Sequence, residues 1–224
     1  NMSQSPHYLA GSRDGIRLGH GKLIDGMIHD GLWDVYNDQH MGNCAEICAK
    51  EYNFSREAQD SFAERSYTRS QKAITNGLFE DEIVSVAVPQ RRGEPIIVSV
   101  DEEPNRVNFD KMRKLRPAFQ KEGSVTAGNA STINDGAAAV VLMSEDKAKE
   151  LGLTPLAKIV SQASSAHAPE WFTTAPAKAL PIALGKAGLS TTDVDYFELN
   201  EAFSVVGLAN MKILDLDSSK VNVN

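Results

Sequence analysis

The chain has 224 residues, 42% hydrophobic and 24% charged, with 23 basic against 30 acidic residues for a net charge of −7. That length holds one large domain or two modest ones, and the acidic balance argues against a general nucleic-acid or anionic-membrane surface, since both need clustered positive charge. A local basic patch for a phosphorylated ligand is still compatible with it. Cys44 and Cys48 are the only cysteines, too few for a disulfide framework, and they point to a reducing compartment. No apolar run approaches transmembrane length. Because residue 1 is Asn, the native N-terminus is expected to lie upstream, and targeting, cytoplasmic or mitochondrial, is not assigned.

The first forty residues are punctuated by Gly11, Gly15, Gly19, Gly21, Gly26 and Gly31, and read as loops with short helical turns, one over Lys22 to Asp30. A helix follows. Ser55 is its N-cap, Glu57 sits in the first turn, Ala58, Phe62, Ser66 and Ala73 share a face, and Gly77 ends it. Val84, Val86 and Val88 alternate like a half-buried strand, Gly93 and Pro95 turn the chain, and Ile96 to Val100 reads as a second strand. Residues 101–116 are highly charged and expected on the surface. After the small, polar stretch Lys121 to Asp135, strands and helices alternate. Ala137 to Met143 reads as a buried strand. Ser144 caps a helix that Gly152 ends, Ala157 to Val160 is a strand, Pro176 opens a helix that Gly188 ends, Tyr196 to Leu199 is a strand, and Ala202 to Leu214 a helix. That alternation implies an α/β layered sheet.

Three places could carry chemistry. In the loop Ala127-Gly128-Asn129-Ala130-Ser131, small residues let a ligand approach the backbone, whose free N–H and C=O groups can bind amides or a cation; the alternative is a tight turn. Asn200-Glu201-Ala202-Phe203 falls where a strand gives way to a helix. Asn200 could hold a water or donate to a developing oxyanion, or be an ordinary N-cap with Glu201 in the first turn. Cys44 and Cys48 stand i, i+4 on a helix with His40 four residues earlier. Two packed thiols are preferred over a metal site, and neither thiol carries a mark of activation. His7 follows Pro6 in a loop and could line a site; alone, it is more often a surface residue. His20, Asp25 and His29 lack a ligand spacing, and Trp33 and Trp171 read as core or interface aromatics.

Taken together, several runs carry a resemblance. Met2-Ser3-Gln4-Ser5-Pro6-His7, Asp30-Gly31-Leu32 and His40-Met41-Gly42 resemble the start of the loop domain of the thiolase family. Ser124-Val125-Thr126-Ala127-Gly128-Asn129-Ala130-Ser131, with Asn134-Asp135-Gly136-Ala137-Ala138-Ala139, is similar to the family's pantetheine loop and adjoining core strand. Asn200-Glu201-Ala202-Phe203 matches a family active-site motif, and Val221-Asn222-Val223-Asn224 looks like the strand before its Gly-His-Pro segment. Ser66-Tyr67-Thr68-Arg69-Ser70 and Arg106-Val107-Asn108-Phe109 resemble the short-chain, acetoacetyl-CoA-specific branch, including its mitochondrial potassium-activated form, and 168–174 looks more like plant or microbial relatives.

The resemblance implies a thiolase fold, layered α-β-α-β-α, with most of the loop domain at 1–132, the end of the N-terminal core domain at 133–154 and the first part of the C-terminal core domain at 155–224. It implies an acyltransferase that condenses two acetyl-CoA to acetoacetyl-CoA and CoA, or runs the reverse thiolysis, through an acetyl-cysteine; coenzyme A is substrate and product, with no tightly bound cofactor. By position, Ser131 should bind pantetheine, and Tyr67, Arg106, Val107, Asn108 and Lys111 should lie around the CoA nucleotide. Phe119, Ala127, Phe172 and Phe203 should wall the pantetheine and short acyl channel. His7 should lie near the thioester, and Asn200 should hold an oxyanion-hole water. If the potassium form applies, Tyr67 and the carbonyls of Ala127, Gly128 and Ala130 supply ligands. A homotetramer is expected, with no nucleic-acid or membrane partner. The family's nucleophilic cysteine and its His and Cys base fall outside the matched segments, so this polypeptide alone is expected to be inactive. The alternative is a non-catalytic CoA-binding or oligomerisation module.

Overall fold

The computed structural model describes residues 2–224 and divides into two compact units, one of residues 2–44 with 132–194, the other of 45–131 with 195–224. Every ladder in it is a two-stranded antiparallel pair.

In the first unit, β1 (His7–Leu9) pairs with β2 (Leu23–Asp25), placing His7 opposite Asp25. Asp25 then caps α1 (Gly26–Gly31) by accepting from the Met27 N–H at 2.9 Å. Position 26 has to be glycine, because a Cβ there would meet the Pro6 carbonyl and the Tyr8 ring. A second short pair, β3 (Trp33–Asp34) and β4 (Gln39–His40), closes over a turn whose Tyr36 and Asn37 N–H groups both donate to Asp34. These four strands replace the loops expected over the first forty residues. Runs of two or three residues are too short to show a period-2 pattern, so nothing in the sequence announced them.

The same unit holds α6 (Glu145–Glu150), a 3₁₀ segment at Pro169–Thr174 and α7 (Ala175–Ala187). Their boundaries follow sequence signals. Ser144 accepts from the Lys147 N–H at 3.2 Å, and Gly188 takes the left-handed conformation, φ +70°, that ends a helix cheaply only without a side chain. Two expectations fail here. Residues 137–143 and 157–160 form no ladder among the described residues, and Val140 and Val141 are 83% and 85% exposed. Their apolar character suits a buried strand, but a strand is defined by its hydrogen-bonded neighbour, and a single sequence does not carry the neighbour's identity.

The second unit takes in α2 (Met41–Glu51) from Ala45 onward and is built around α3 (Arg56–Thr75), the longest helix of the chain. Ser55 caps α3 by accepting from the Ala58 N–H at 3.1 Å, as its sequence predicts. β5 (Val86–Val88) and β6 (Ile96–Val98) form a hairpin whose six residues are all exposed, so the first strand is not half-buried as expected, and the second is shorter than the expected Ile96 to Val100. The charged stretch 101–116 folds into α4 (Glu103–Arg106) and α5 (Phe109–Met112), anchored by buried Pro104 and Met112. α8 (Ser204–Leu214) packs on α3, with Phe62, Ala63, Val205, Val206 and Ala209 buried. The strand expected at 196–199 reduces to one parallel bridge, Phe197 to Val221.

The α3–α8 contact depends on a glycine. A Cβ at Gly207 would fall into the Phe62 ring, a rigid neighbour with no free end to move aside. Gly207→Ala is therefore expected to lower stability by about 1–3 kcal/mol, because overpacking forces rotamers and backbone to shift. The urea midpoint reads it, and a midpoint equal to or above that of the parent would show that the two helices are less tightly fitted than described.

Candidate active site

The second unit brings two of the singled-out loops together. The Ser131 N–H donates to the Ala202 carbonyl at 3.0 Å, and the Ser204 N–H donates to the Asn129 carbonyl at 2.8 Å. Ala130 and Phe203 thus face each other in a one-step antiparallel bridge. Phe119 and Phe203 stack edge to face beside it, with ring centroids 6.0 Å apart at 82°. Ser131, Phe119, Phe203 and the Asn200 motif, far apart in sequence, share one neighbourhood.

Loop 124–131 is held from beneath by two buried carboxylates. Glu46, 7% exposed, accepts from the Ser124 N–H (2.8 Å), the Val125 N–H (2.8 Å) and the Ser124 hydroxyl (3.1 Å). Asp60, 6% exposed, accepts from the Asn129 side-chain amide at 2.9 Å and from Arg56 Nε at 2.7 Å. Arg56 reaches on to the carbonyls of Met112 (3.2 Å), the last residue of α5, and Leu115 (2.9 Å), just beyond it. Within the loop, Asn129 Oδ1 accepts from the Thr126 N–H at 2.8 Å and the Gly128 N–H donates to the Thr126 hydroxyl at 3.1 Å. Most of the N–H groups read as free in the sequence are therefore committed. The carbonyls of Ala127, Gly128 and Ala130 accept no hydrogen bond among the described residues. Gly128 lies against Met112 and Leu115, where a Cβ would collide, so the loop's path needs that glycine.

The Asn200 motif is not a helix start. α8 begins at Ser204 and its N-cap is Phe203, which makes no side-chain cap bond. The Glu201 carboxylate is instead taken by the Ser66 hydroxyl at 2.5 Å and the Asn222 amide at 2.7 Å. Asn200 is exposed, and its side-chain amide makes no hydrogen bond among the described residues. The N-cap alternative is thereby removed, and an exposed, uncommitted amide is left at the tip of the motif.

Around the expected nucleotide end, Tyr67 is half-buried on α3 and donates its hydroxyl proton to Glu103 at 3.2 Å; burial, reinforced by that carboxylate, pushes the phenol up to about 12. Arg106 pairs with Glu102 at 2.5 Å, with both side chains more than half exposed, so the pair is weak and open to competition from another anion. Asn108 caps α5 by accepting from the Lys111 N–H at 2.9 Å, Val107 ends α4, and the Lys111 side chain is exposed.

His7 and Phe172 belong to the first unit. The His7 ring lies 4.0 Å from Asp25 and is 54% exposed, and Phe172 is half-buried in the 3₁₀ segment at Pro169–Thr174. His40 accepts from the Gly42 N–H at 2.9 Å and meets Trp33 edge to face, so its ring is engaged locally. Cys44 and Cys48 are fully buried and form no disulfide, and burial, with Asp34 adding to it, pushes the Cys44 thiol up to about 11. A low thiolate fraction is the opposite of what a nucleophile needs.

Sequence reasoning missed Glu46, Asp60, Arg56, Ser66 and Asn222. The i, i+4 pair Arg56–Asp60 was detectable as a helix-face ion pair. Glu46, Ser66 and Asn222 act across long sequence separations and carry no local signal.

Two family models match the chain: "Thiolase, N-terminal domain" over residues 1–146 and "Thiolase, C-terminal domain" over 153–224. The chain belongs to the thiolase family. It is 52% identical over its whole length to acetyl-CoA acetyltransferase of Schizosaccharomyces pombe, covering 57% of that protein, and 54% identical to acetyl-CoA acetyltransferase 2 of Arabidopsis thaliana, covering 56%. The crystal structure of the Bacillus anthracis acetyl-CoA acetyltransferase superposes with a TM-score of 0.96 at 45% identity, over 100% of this chain and 56% of that one. The fold is the thiolase fold, and the chain spans little more than half the length of the relatives it matches. Among the described residues no helix is long and apolar enough to cross a membrane.

The buried thiol makes a pH prediction. Cys44 ordinarily titrates near 9.0 and is raised to about 11 in the fold, so the folded state holds this proton longer than the unfolded chain does. Its contribution is complete below about pH 9 and is lost as pH rises towards 11. Cys44→Ala should flatten that part of the alkaline fall in urea midpoint; an unchanged pH slope would contradict the shift.

Proposed function

We propose that this chain acts within an acetyl-CoA C-acetyltransferase, an enzyme that condenses two acetyl-CoA into acetoacetyl-CoA and CoA and catalyses the reverse thiolysis. A thiolate takes an acetyl group from one acetyl-CoA and releases CoA. A base removes an α-proton from a second acetyl-CoA, and the enolate attacks the acetyl-enzyme carbonyl, expelling the thiolate. Neither Cys44 nor Cys48 fits the nucleophile, since both are buried and Cys44 is held protonated. This chain's part is to bind and to stabilise charge. The observation that carries the reading is the bridge between loops 129–131 and 202–204, which sets Ser131, the Phe119–Phe203 pair and the uncommitted Asn200 amide together.

In this reading Ser131 meets the pantetheine, with Ala127, Phe119 and Phe203 as walls that favour short acyl groups. Tyr67, Val107 and Asn108 lie beside the nucleotide, and Arg106 and Lys111 meet its phosphates. Asn200 holds the water that donates to a developing oxyanion. Residues 1–132 form the loop domain, with core-domain segments at 133–154 and 155–224. A homotetramer belongs to this reading, and the exposed apolar hairpin β5–β6 is a surface that another chain would cover.

Potassium fits the residues present. A hard cation prefers oxygen ligands, and the carbonyls of Ala127, Gly128 and Ala130 accept no hydrogen bond among the described residues. Tyr67 completes the set, its hydroxyl oxygen retaining lone pairs while it donates to Glu103. Bound there, the cation would stiffen the loop that carries Ser131.

Two outcomes test this. In the active enzyme, Asn200→Ala should lower kcat for acetoacetyl-CoA thiolysis by about 10²–10³-fold with KM nearly unchanged, the usual cost of removing one preorganised oxyanion donor; kcat within twofold of the parent would refute the assignment. Replacing K⁺ by Na⁺ at constant ionic strength should lower kcat/KM, and equal rates in the two salts would remove the cation from the account.

A further inference from the structure

Asn200 makes no hydrogen bond among the described residues, so its neighbours must set its direction. Both of its neighbours in the chain are held by one side chain, that of Asn222. Asn222 Oδ1 accepts from the Leu199 N–H at 2.8 Å, and Asn222 Nδ2 donates to the Leu199 carbonyl at 2.8 Å and to Glu201 Oε1 at 2.7 Å. The orientation of this amide is fixed by its partners: turned over, its oxygen would face two oxygens and its NH₂ would face an N–H. Leu199 is buried, and both hydrogens of the Asn222 NH₂ group are used.

The clamp is itself supported. Asn222 sits at φ +47°, a left-handed conformation that Asn tolerates better than most residues. Its N–H donates to the Phe197 carbonyl at 2.9 Å, and Arg69 Nη1 donates to the carbonyls of Val221 (2.7 Å) and Asn222 (2.9 Å). Ser66, on the same helix as Arg69, holds the second oxygen of Glu201. Residues 199 and 201 are thus tied to α3 by two routes, with Asn200 projecting between them.

We propose that Asn222 is a positioning residue, holding Leu199 and Glu201 so that the Asn200 amide points into the site. It touches no reacting atom; its effect passes through the backbone on either side of Asn200. This rests on the assignment of Asn200 given above. A side chain that mimics a neighbouring strand's N–H and C=O also explains why 196–199 is well held with only one backbone bridge.

The test uses the active enzyme with Asn222→Asp and Asn222→Gly. Asp keeps the shape and the Leu199 N–H bond, but removes both donors and sets a carboxylate against Glu201 and the Leu199 carbonyl. Gly keeps the left-handed backbone and removes the clamp entirely. Both should lower kcat by about 10–100-fold with KM for acetoacetyl-CoA within about twofold, as misplacing a catalytic group by an ångström does. Amide hydrogen exchange at Leu199–Ala202 in the substrate-free enzyme should quicken in both variants. Parent-like kcat in both, beside a slow Asn200→Ala enzyme, overturns the proposal. If Asn200→Ala is itself parent-like, the Asn200 assignment fails instead, and exchange alone decides: faster exchange at 199–202 upholds the clamp, and unchanged exchange overturns it.

Discussion

Two backbone hydrogen bonds decide whether this chain has a site at all. They join Ser131 to Ala202 and Ser204 to Asn129, and everything assigned to the pantetheine and oxyanion end depends on them. Each is an ordinary amide bond, worth about 1 kcal/mol net. Their leverage comes from what they join. One loop carries Ser131 and three carbonyls that accept no hydrogen bond among the described residues, and the other carries Asn200 and Phe203.

Such a bridge lasts only if both loops are rigid before they meet, and the structure stiffens the first with two buried carboxylates and the second with a half-buried one. Glu46 and Asp60 lie beneath the first loop, and Glu201 lies within the second. A buried carboxylate is costly unless every lone pair finds a donor. Here the donors are the loop's own N–H groups, the amides of Asn129 and Asn222, and Arg56. A half-satisfied arrangement would be worse than an apolar one, so the loops gain definition: alternative paths strand a charge. The two roles are separate: carboxylates with satisfied oxygens hold the loops, and in the proposed function the exposed Asn200 amide and the carbonyls of 127, 128 and 130 serve ligands.

What was legible in the sequence is what local chemistry controls. Ser55 and Ser144 announce their helices because a capping hydroxyl serves N–H groups two or three residues away, and Gly188 announces an end because few residues accept its φ. The motifs around Ser131 and Asn200 were legible as a family pattern, which the thiolase models and relatives bear out. What was not legible is set by partners distant in sequence. Val140 and Val141 have the composition of a strand but no ladder neighbour among the described residues. Asn200 has the composition of an N-cap, yet α8 starts four residues later because Glu201 is drawn away to Ser66 and Asn222. In both cases propensity was right about the residue and silent about the competitor.

In the proposed function, the Ser131 loop and the Asn200 loop together receive an acyl-CoA thioester. A crystal structure of the active enzyme with acetyl-CoA bound measures that directly. The account predicts pantetheine against Ser131 and the Phe119–Phe203 pair, with a water held by the Asn200 amide within hydrogen-bond reach of the site where an oxyanion forms. Acetyl-CoA bound away from residues 124–131, or an Asn200 amide turned into the protein in that complex, would contradict it.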